Sequence, residues 1–212
     1  MIDFKNKIIF IHIPKTGGTS VEMYFQKIRN LSDHDISSLA IFKNKKESNL
    51  ERGNQHCSLS MYEKFFFGGR IPEDYRIFTI VRNPYTRFWS EWSSRKLPPP
   101  SRFIVSFYLP LILLIFLSKK KYNFLKDFNS HMKPQSSFLF GKNNYKIKIL
   151  RFENLNEEFE QLIEDWHLPK IKLSRSNKSR RLRKPSKYEL RLGKRFIERF
   201  YRDDFKIFSY KK

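Results

Sequence analysis

Cysteine is nearly absent from this sequence, which has only Cys57 among its 212 residues. A single cysteine excludes an intrachain disulfide and favours a reducing compartment. Acidic residues are also scarce, with 21 Asp and Glu against 43 Lys and Arg, and the formal net charge is +22. A surface of this sign attracts polyanions such as nucleic acid, anionic membranes, phosphorylated cofactors and sulfated sugars, but it does not choose among them.

Long hydrophobic runs are missing as well. The longest covers residues 103–117, falls short of the about 20 residues that a spanning helix needs, and is interrupted by Pro110. We expect two short buried helices joined at Pro110. The alternative is peripheral membrane contact by this run, which the lysines at 119–121 would favour. The N-terminus lacks the pattern of a secretory signal. These features predict a cytoplasmic protein that is either unattached or membrane-associated.

The apolar content of 40% is enough for a globular core, and the length favours one domain over residues 1–212 with an apolar insertion at about 103–117. Buried strands are predicted at 7–13 and 76–81, and a third strand, in which lysine alternates with isoleucine, is predicted at 145–152. Apolar residues at helical spacing follow each strand, and a last helix carries Phe196 and Phe200. Strands that alternate with helices predict an α/β fold with a P-loop-like, mainly parallel sheet flanked by helices.

Four helix starts are predicted from capping residues. Asn83 and Pro84 suit the cap and first position of the helix after the second strand. Three other pairs have the spacing of a capping box, in which a polar cap and a glutamate satisfy each other's backbone N–H groups. These pairs are Ser60 with Glu63, Asn154 with Glu157, and Ser186 with Glu189. We expect the helix at Ser60 to stop at the glycine pair 68–69.

The first candidate site is the segment Pro14-Lys15-Thr16-Gly17-Gly18-Thr19-Ser20, between the first strand and its helix. A helix N-terminus presents N–H groups and a positive dipole to an anion, and the glycines allow close approach of a phosphate. Thr19 and Ser20 add hydroxyl donors, and Lys15 adds a positive charge. A Walker A loop places its lysine after the glycines, so this segment is a different phosphate loop.

The second candidate site begins at Arg82, where the second strand ends. Arg82 can place two donors on one phosphate, and Ser90 on the following helix could add a third. In parallel sheets, ligands lie at the carboxyl ends of strands. Two basic residues at two strand ends therefore predict a ligand with two separated phosphate groups.

These two segments, HIPKTGGTS and FTIVRNPYTRFWSEW, closely resemble the PAPS-dependent sulfotransferases, particularly their carbohydrate-type, membrane-associated branch. The resemblance implies that residues 14–20 hold the 5′-phosphosulfate of 3′-phosphoadenylyl sulfate (PAPS), and that Arg82 and Ser90 hold its 3′-phosphate. Supporting matches continue along the chain. They are His56-Cys57-Ser58, the PQ segment His131–Ser136, the RFENL segment Arg151–Leu155, Asn177–Ser179 and Tyr201–Phe205.

The resemblance also implies a reaction. The chain would move the sulfuryl group of PAPS to an acceptor hydroxyl, with a carbohydrate, acidic or not, as the expected acceptor. His56 is the expected general base and Glu22 a weaker alternative, with Lys15 stabilising the leaving bisphosphate. His12 is expected to be buried and to orient the loop. Gln135 is expected to touch acceptor or cofactor, or else to be structural.

Several features limit this interpretation. The family's eukaryotic carbohydrate enzymes carry a membrane anchor and disulfides, and this sequence has neither, so it resembles a bare catalytic domain. The five histidines show no metal-ligand spacing, and no metal is predicted. The alternatives are a P-loop nucleotide kinase and a nonenzymatic polyanion binder. The kinase is disfavoured because the sequence lacks the GK[ST] pattern and an acidic magnesium site. No specific nucleic-acid partner is predicted, and the oligomeric state stays open.

Overall fold

The computed structural model describes residues 1–30, 56–94, 131–174 and 187–212. Predictions that fall on the apolar run 103–117, on Asn177–Ser179 and on the cap Ser186 lie outside these residues. The chain forms two compact units. The first comprises Met1–Arg82 with Ser137–Asn177, and the second comprises Asn83–Ser136 with Lys178–Lys212.

The first unit contains a four-stranded sheet in the order β1-β2-β3-β4. Its strands are β1 (Ile2–Asp3), β2 (Ile8–Ile11), β3 (Arg76–Val81) and β4 (Ile147–Arg151). β1 pairs antiparallel with β2, whereas β2–β3 and β3–β4 are parallel. The predicted α/β fold with a mainly parallel sheet is thus confirmed, and the short antiparallel β1 is an addition that the pattern did not predict.

Helices α1 (Gly18–Ile28), α2 (Leu59–Phe66) and α4 (Leu155–Asp165) belong to the same unit. Apolar side chains of α1 and α4 pack with one face of the sheet and are fully buried. The strand residues of this core are Ile8, Phe10, Phe78, Ile80 and Leu150, and the helix residues include Val21, Tyr24, Phe25, Phe159, Leu162 and Ile163. This packing fixes both ends of the loop between β2 and α1.

The second unit is helical and contains α3 (Pro84–Ser94), α5 (Lys187–Phe200) and α6 (Arg202–Ile207). As predicted, Asn83 caps α3, because its Oδ1 accepts the Tyr85 N–H at 3.0 Å. The helix predicted as the last, α5, is followed by the short α6. The aromatic core of this unit comprises Phe88, Trp89, Trp92, Met132, Ile197, Tyr201 and Phe205. Among the described residues, no helix is both long and apolar enough to cross a membrane.

Two predicted capping boxes are wrong. α2 begins at Leu59 with Ser58 as its cap, and Glu63 is buried, where it accepts hydrogen bonds from the backbone N–H groups of Lys142 (2.8 Å) and Asn143 (3.1 Å). α4 is capped by Asn154 without a side-chain hydrogen bond, since a 3-10 turn at Phe152–Asn154 precedes it. α2 does stop before the glycine pair, where Gly68 and Gly69 both have positive φ.

Candidate functional site

The loop between β2 and α1 has a strained, compact backbone. Lys15 and Gly17 both lie in the left-handed region, at φ 68° and 87°, and glycine adopts this conformation at little cost. A Cβ at Gly17 would lie 3.2 Å from side-chain atoms of Phe152 and Leu155. Thr16 is fully buried and its hydroxyl donates to the Ile13 carbonyl at 2.8 Å, so this side chain stabilises the turn.

α1 begins directly after this turn. Gly17 is its cap, no side chain caps the helix, and its first turn contains no acidic residue. Gly18, Thr19 and Ser20 form the first turn, where Gly18 is buried and the two hydroxyl residues are half-buried. A helix start of this composition suits an anion, because the N–H groups and the dipole of the helix favour negative charge and the first turn has no carboxylate of its own. The donor set thus fits a phosphate or phosphosulfate group.

Arg82 joins this loop from the neighbouring strand. It follows β3 directly, and its Nη1 donates to the Lys15 carbonyl at 3.1 Å. Its guanidinium lies 4.1 Å from the centre of the Phe152 ring, and only 7% of the residue is exposed. Stacking on an aromatic face holds the planar guanidinium in one orientation. Arg82 and the loop after β2 are therefore adjacent, as the sequence predicted, and the stacking of Arg82 on Phe152 is the feature that sequence reasoning missed.

His56 also lies against this loop. Its Nδ1 donates to the His12 carbonyl at 2.9 Å, and the two imidazole rings meet edge to face with 4.6 Å between their centres. Because a carbonyl can only accept, Nδ1 of His56 carries a proton, and in the neutral ring the basic lone pair is on Nε2. The residue is half-buried. This tautomer suits a proton acceptor.

His12 and Glu22 form a buried pair behind the loop. His12 Nδ1 lies 2.7 Å from Glu22 Oε1, and the two side chains are 5% and 2% exposed. The sequence predicted a buried His12, but the pairing with Glu22 on α1 was not predicted, since no local motif joins residues ten apart across a strand, a loop and a helix.

Cys57 is buried, and burial raises the pKa of its thiol, which makes it a poor nucleophile.

Two predicted site residues belong to the second unit. Ser90 is half-buried on α3. Gln135 is fully buried, its backbone N–H donates to Asp204 Oδ2 at 2.8 Å, and its amide nitrogen lies 3.4 Å from the same oxygen. The roles predicted for Ser90 and Gln135 toward the ligand stay predictions. Within the described residues, no group of three or more His, Cys, Asp or Glu side chains is arranged to hold a metal ion.

The chain was compared with protein-family models, curated proteins and solved structures. Neither the curated proteins nor the solved structures contain a match to this chain. A protein-family model described as the sulfotransferase family matches residues 1–211, which is nearly the whole sequence. The chain therefore belongs to the sulfotransferase family.

Proposed function

We propose that this sulfotransferase takes the sulfuryl group from PAPS and transfers it to an acceptor hydroxyl, most specifically one on a carbohydrate. The observation that carries the proposal is the hydrogen bond from Arg82 to the Lys15 carbonyl, which joins the phosphate loop after β2 to the basic residue after β3. Membership of the family supports sulfuryl transfer, and the loop geometry supports a donor that carries phosphate groups.

The loop residues Lys15 to Ser20 would hold the 5′-phosphosulfate. The backbone N–H groups at the start of α1 and the positive end of its dipole favour the charged group. Lys15 and these N–H groups would also stabilise the negative charge that develops on the bisphosphate as the bond to sulfur breaks. Thr16 supports the loop with its side chain, so its contribution to binding would come from its backbone N–H.

Arg82 would bind the 3′-phosphate. Its guanidinium is stacked on Phe152, and this preorganisation reduces the side-chain entropy that binding would otherwise cost. The resemblance assigns Ser90 to the same phosphate, and we retain that assignment as part of the proposal.

His56 would act as the general base. In the proposed step, its Nε2 takes the proton of the acceptor hydroxyl while the acceptor oxygen forms a bond to sulfur and the sulfur–oxygen bond to the bisphosphate breaks. The protonated His56 and free adenosine 3′,5′-bisphosphate (PAP) are left. Such transfers pass through loose, in-line transition states, in which positioning and charge stabilisation contribute most of the rate. The His12 carbonyl supplies the positioning for His56.

The proposal of a carbohydrate acceptor rests on the family branch and on the net charge of +22. A basic surface would concentrate an acidic glycan near the site. The proposal has three further parts. Gln135 contacts the acceptor, the protein is cytoplasmic, and it makes peripheral contact with a membrane.

The proposed function is tested by nucleotide-dependent stabilisation and by turnover. In EDTA, PAP should raise the unfolding temperature more than ATP or heparin does, because ATP lacks a 3′-phosphate and heparin lacks the nucleotide. Incubation with PAPS labelled in its sulfuryl group and a panel of glycans, lipids and tyrosine peptides should then label one class of acceptor. Equal stabilisation by PAP, ATP and heparin, together with no labelled acceptor, would favour a nonenzymatic polyanion binder instead.

A further inference from the structure

His12 lies at the centre of the contacts that shape the site. It follows β2 directly, and its ring is almost completely buried. Its carbonyl accepts the hydrogen bond from His56, and its ring meets the ring of His56 edge to face. One residue therefore fixes His56 through both its main chain and its side chain.

The same ring also fixes the start of α1. A Cβ added to Gly18 would lie 2.3 Å from Cδ2 and 2.4 Å from Nε2 of His12, far closer than any non-bonded contact allows. The imidazole thus occupies the space that a side chain at Gly18 would need. Since Gly18 is the first residue of α1, the position of the ring determines how close the helix start, with its N–H groups, lies to β2.

Glu22 fixes the orientation of the ring. It lies four residues after Gly18 and therefore on the same face of α1. An ionised carboxylate can only accept, so Nδ1 of His12 donates to Glu22 Oε1 across the 2.7 Å between them. Gly18 and Glu22 hold the imidazole from one helix face, one by close packing and the other by a hydrogen bond. Rotation of the ring would break both contacts.

We infer that His12, oriented by Glu22, is a positioning residue that holds the phosphate loop and His56 in a single arrangement. The inference rests on the proposed function, in which the loop binds the donor and His56 takes the proton. It assigns Glu22 a supporting role and removes it as a candidate general base. Loss of the contact between His12 and the start of α1, or of the contact between His12 and His56, would displace the reacting groups. A displacement of about 1 Å can reduce the rate by about 100-fold.

The first test compares two substitutions of Glu22. Glu22→Gln keeps an oxygen that can accept from His12 Nδ1, whereas Glu22→Ala removes it. At saturating PAPS, the glutamine variant should retain most of the wild-type kcat and the alanine variant should lose about 100-fold. If Glu22 were the base, the two variants would be equally inactive and both would still bind PAP normally. That result would overturn the inference.

The second test is a double-mutant cycle of Gly18→Ala and His12→Ala, which also covers variants of Glu22 that fail to fold. Thermal unfolding without nucleotide and PAP affinity are measured for both single variants and the double variant. Gly18→Ala should be damaging alone and nearly harmless when His12 is alanine, because the added methyl group then has space. Additive effects in both measurements would overturn the inference. A wild-type protein that binds no PAP would instead refute the proposed function, and the unfolding cycle would still report on the packing of His12 and Gly18.

Discussion

Two segments that resemble family motifs are stabilised in different ways. In the first unit, Arg82 and His56 each donate a hydrogen bond to a main-chain carbonyl of the segment after β2, Arg82 to Lys15 and His56 to His12. In the second unit, the PQ segment is fixed by the buried carboxylate of Asp204. This carboxylate accepts from the backbone N–H groups of Gln135 (2.8 Å) and Ser136 (2.9 Å) and from the Ser136 hydroxyl (2.8 Å).

This difference distinguishes motifs that act on a ligand from motifs that stabilise the fold. Around the loop, the guanidinium of Arg82 and the imidazole of His56 donate to neutral main-chain carbonyls, an arrangement that suits groups which must act on a ligand. In the PQ segment, several donors converge on one buried charge, an arrangement that suits stability. We therefore expect substitutions in the first region to change turnover and binding, and substitutions in the second to change mainly the free energy of unfolding.

The largest effect is expected for His56→Ala. Loss of a general base should reduce kcat by about 100- to 10,000-fold, because no positioned group then takes the proton of the substrate hydroxyl. PAP affinity should stay close to that of the wild type. Steady-state kinetics and calorimetric titration check the two parts. His167→Asn is the matched control, since His167 is exposed and its φ of 52° is tolerated by asparagine. Wild-type turnover in His56→Ala would move the base elsewhere.

The next largest effect is expected for Arg82→Ala, which removes the proposed contact to the 3′-phosphate. Loss of a charge-assisted pair should weaken PAP binding by about 100-fold, and Lys15→Ala should have a smaller effect in the same direction. Calorimetric titration measures both. Arg70→Ala is the control, because Arg70 is exposed and forms an ion pair with Glu73, three residues along the chain. If Arg82→Ala and Arg70→Ala bound PAP equally well, Arg82 would not contact the nucleotide.

In the second region, Asp204→Asn should lower the free energy of unfolding by about 3 kcal/mol. The substitution removes a buried charge and turns an amide donor toward backbone donors. Urea unfolding followed by tryptophan fluorescence measures it, since Trp89 and Trp92 belong to the same unit. A loss of turnover without any loss of stability would contradict the structural role.

Gln135→Ala should lower the free energy of unfolding less than Asp204→Asn does. The side-chain amide of Gln135 makes a long contact of 3.4 Å to Asp204, weaker than the backbone donations to the same carboxylate, and loss of this contact should cost about 1 kcal/mol. If kcat/KM for the acceptor falls strongly while this small cost is observed, the proposed contact between Gln135 and the acceptor is supported. Unchanged kcat/KM would leave the residue with a structural role only.

The smallest effect is the pH-dependent part of a stability difference, and it concerns Glu63. Burial alone would raise the pKa of Glu63, but hydrogen bonds from Lys142 and Asn143 bring it below its ordinary value. A carboxylate with a lowered pKa stabilises the fold fully above its unfolded-state value, and this contribution is lost as the pH falls through the folded-state value. The wild type should therefore be more stable than Glu63→Gln at pH 7, and the difference should shrink on acidification. A constant difference would contradict this account.

The sequence predicted the parts of the molecule that depend on local patterns. The strand–loop–helix unit at residues 8–28 and the strand at 76–81 have clear apolar spacing and clear glycine and proline signals, and both are present. β1 was not predicted, because two residues are too few to show a period. The adjacency of Lys15 and Arg82 followed from the rule that parallel strands bring their carboxyl ends together.

Other features could not be predicted because they depend on residues distant in sequence. Glu63 looked like part of a capping box, but its partners lie about 80 positions away along the chain. Phe152 under the guanidinium of Arg82 and Glu22 beside His12 depend on the packing of α1 and α4 against the sheet. Local propensity competes with such tertiary contacts, and in buried positions the tertiary contacts determine the outcome.

The central claim is that residues 14–20 and Arg82 together bind a nucleotide through two separated phosphate groups. It is tested most directly by calorimetric titration of the wild-type protein with PAP and with 5′-AMP, in EDTA and at one ionic strength. The two ligands differ only in the 3′-phosphate. We predict that PAP binds about 100-fold more tightly than 5′-AMP, since a charge-assisted contact is lost with that group. Equal affinity for the two ligands would contradict the claim.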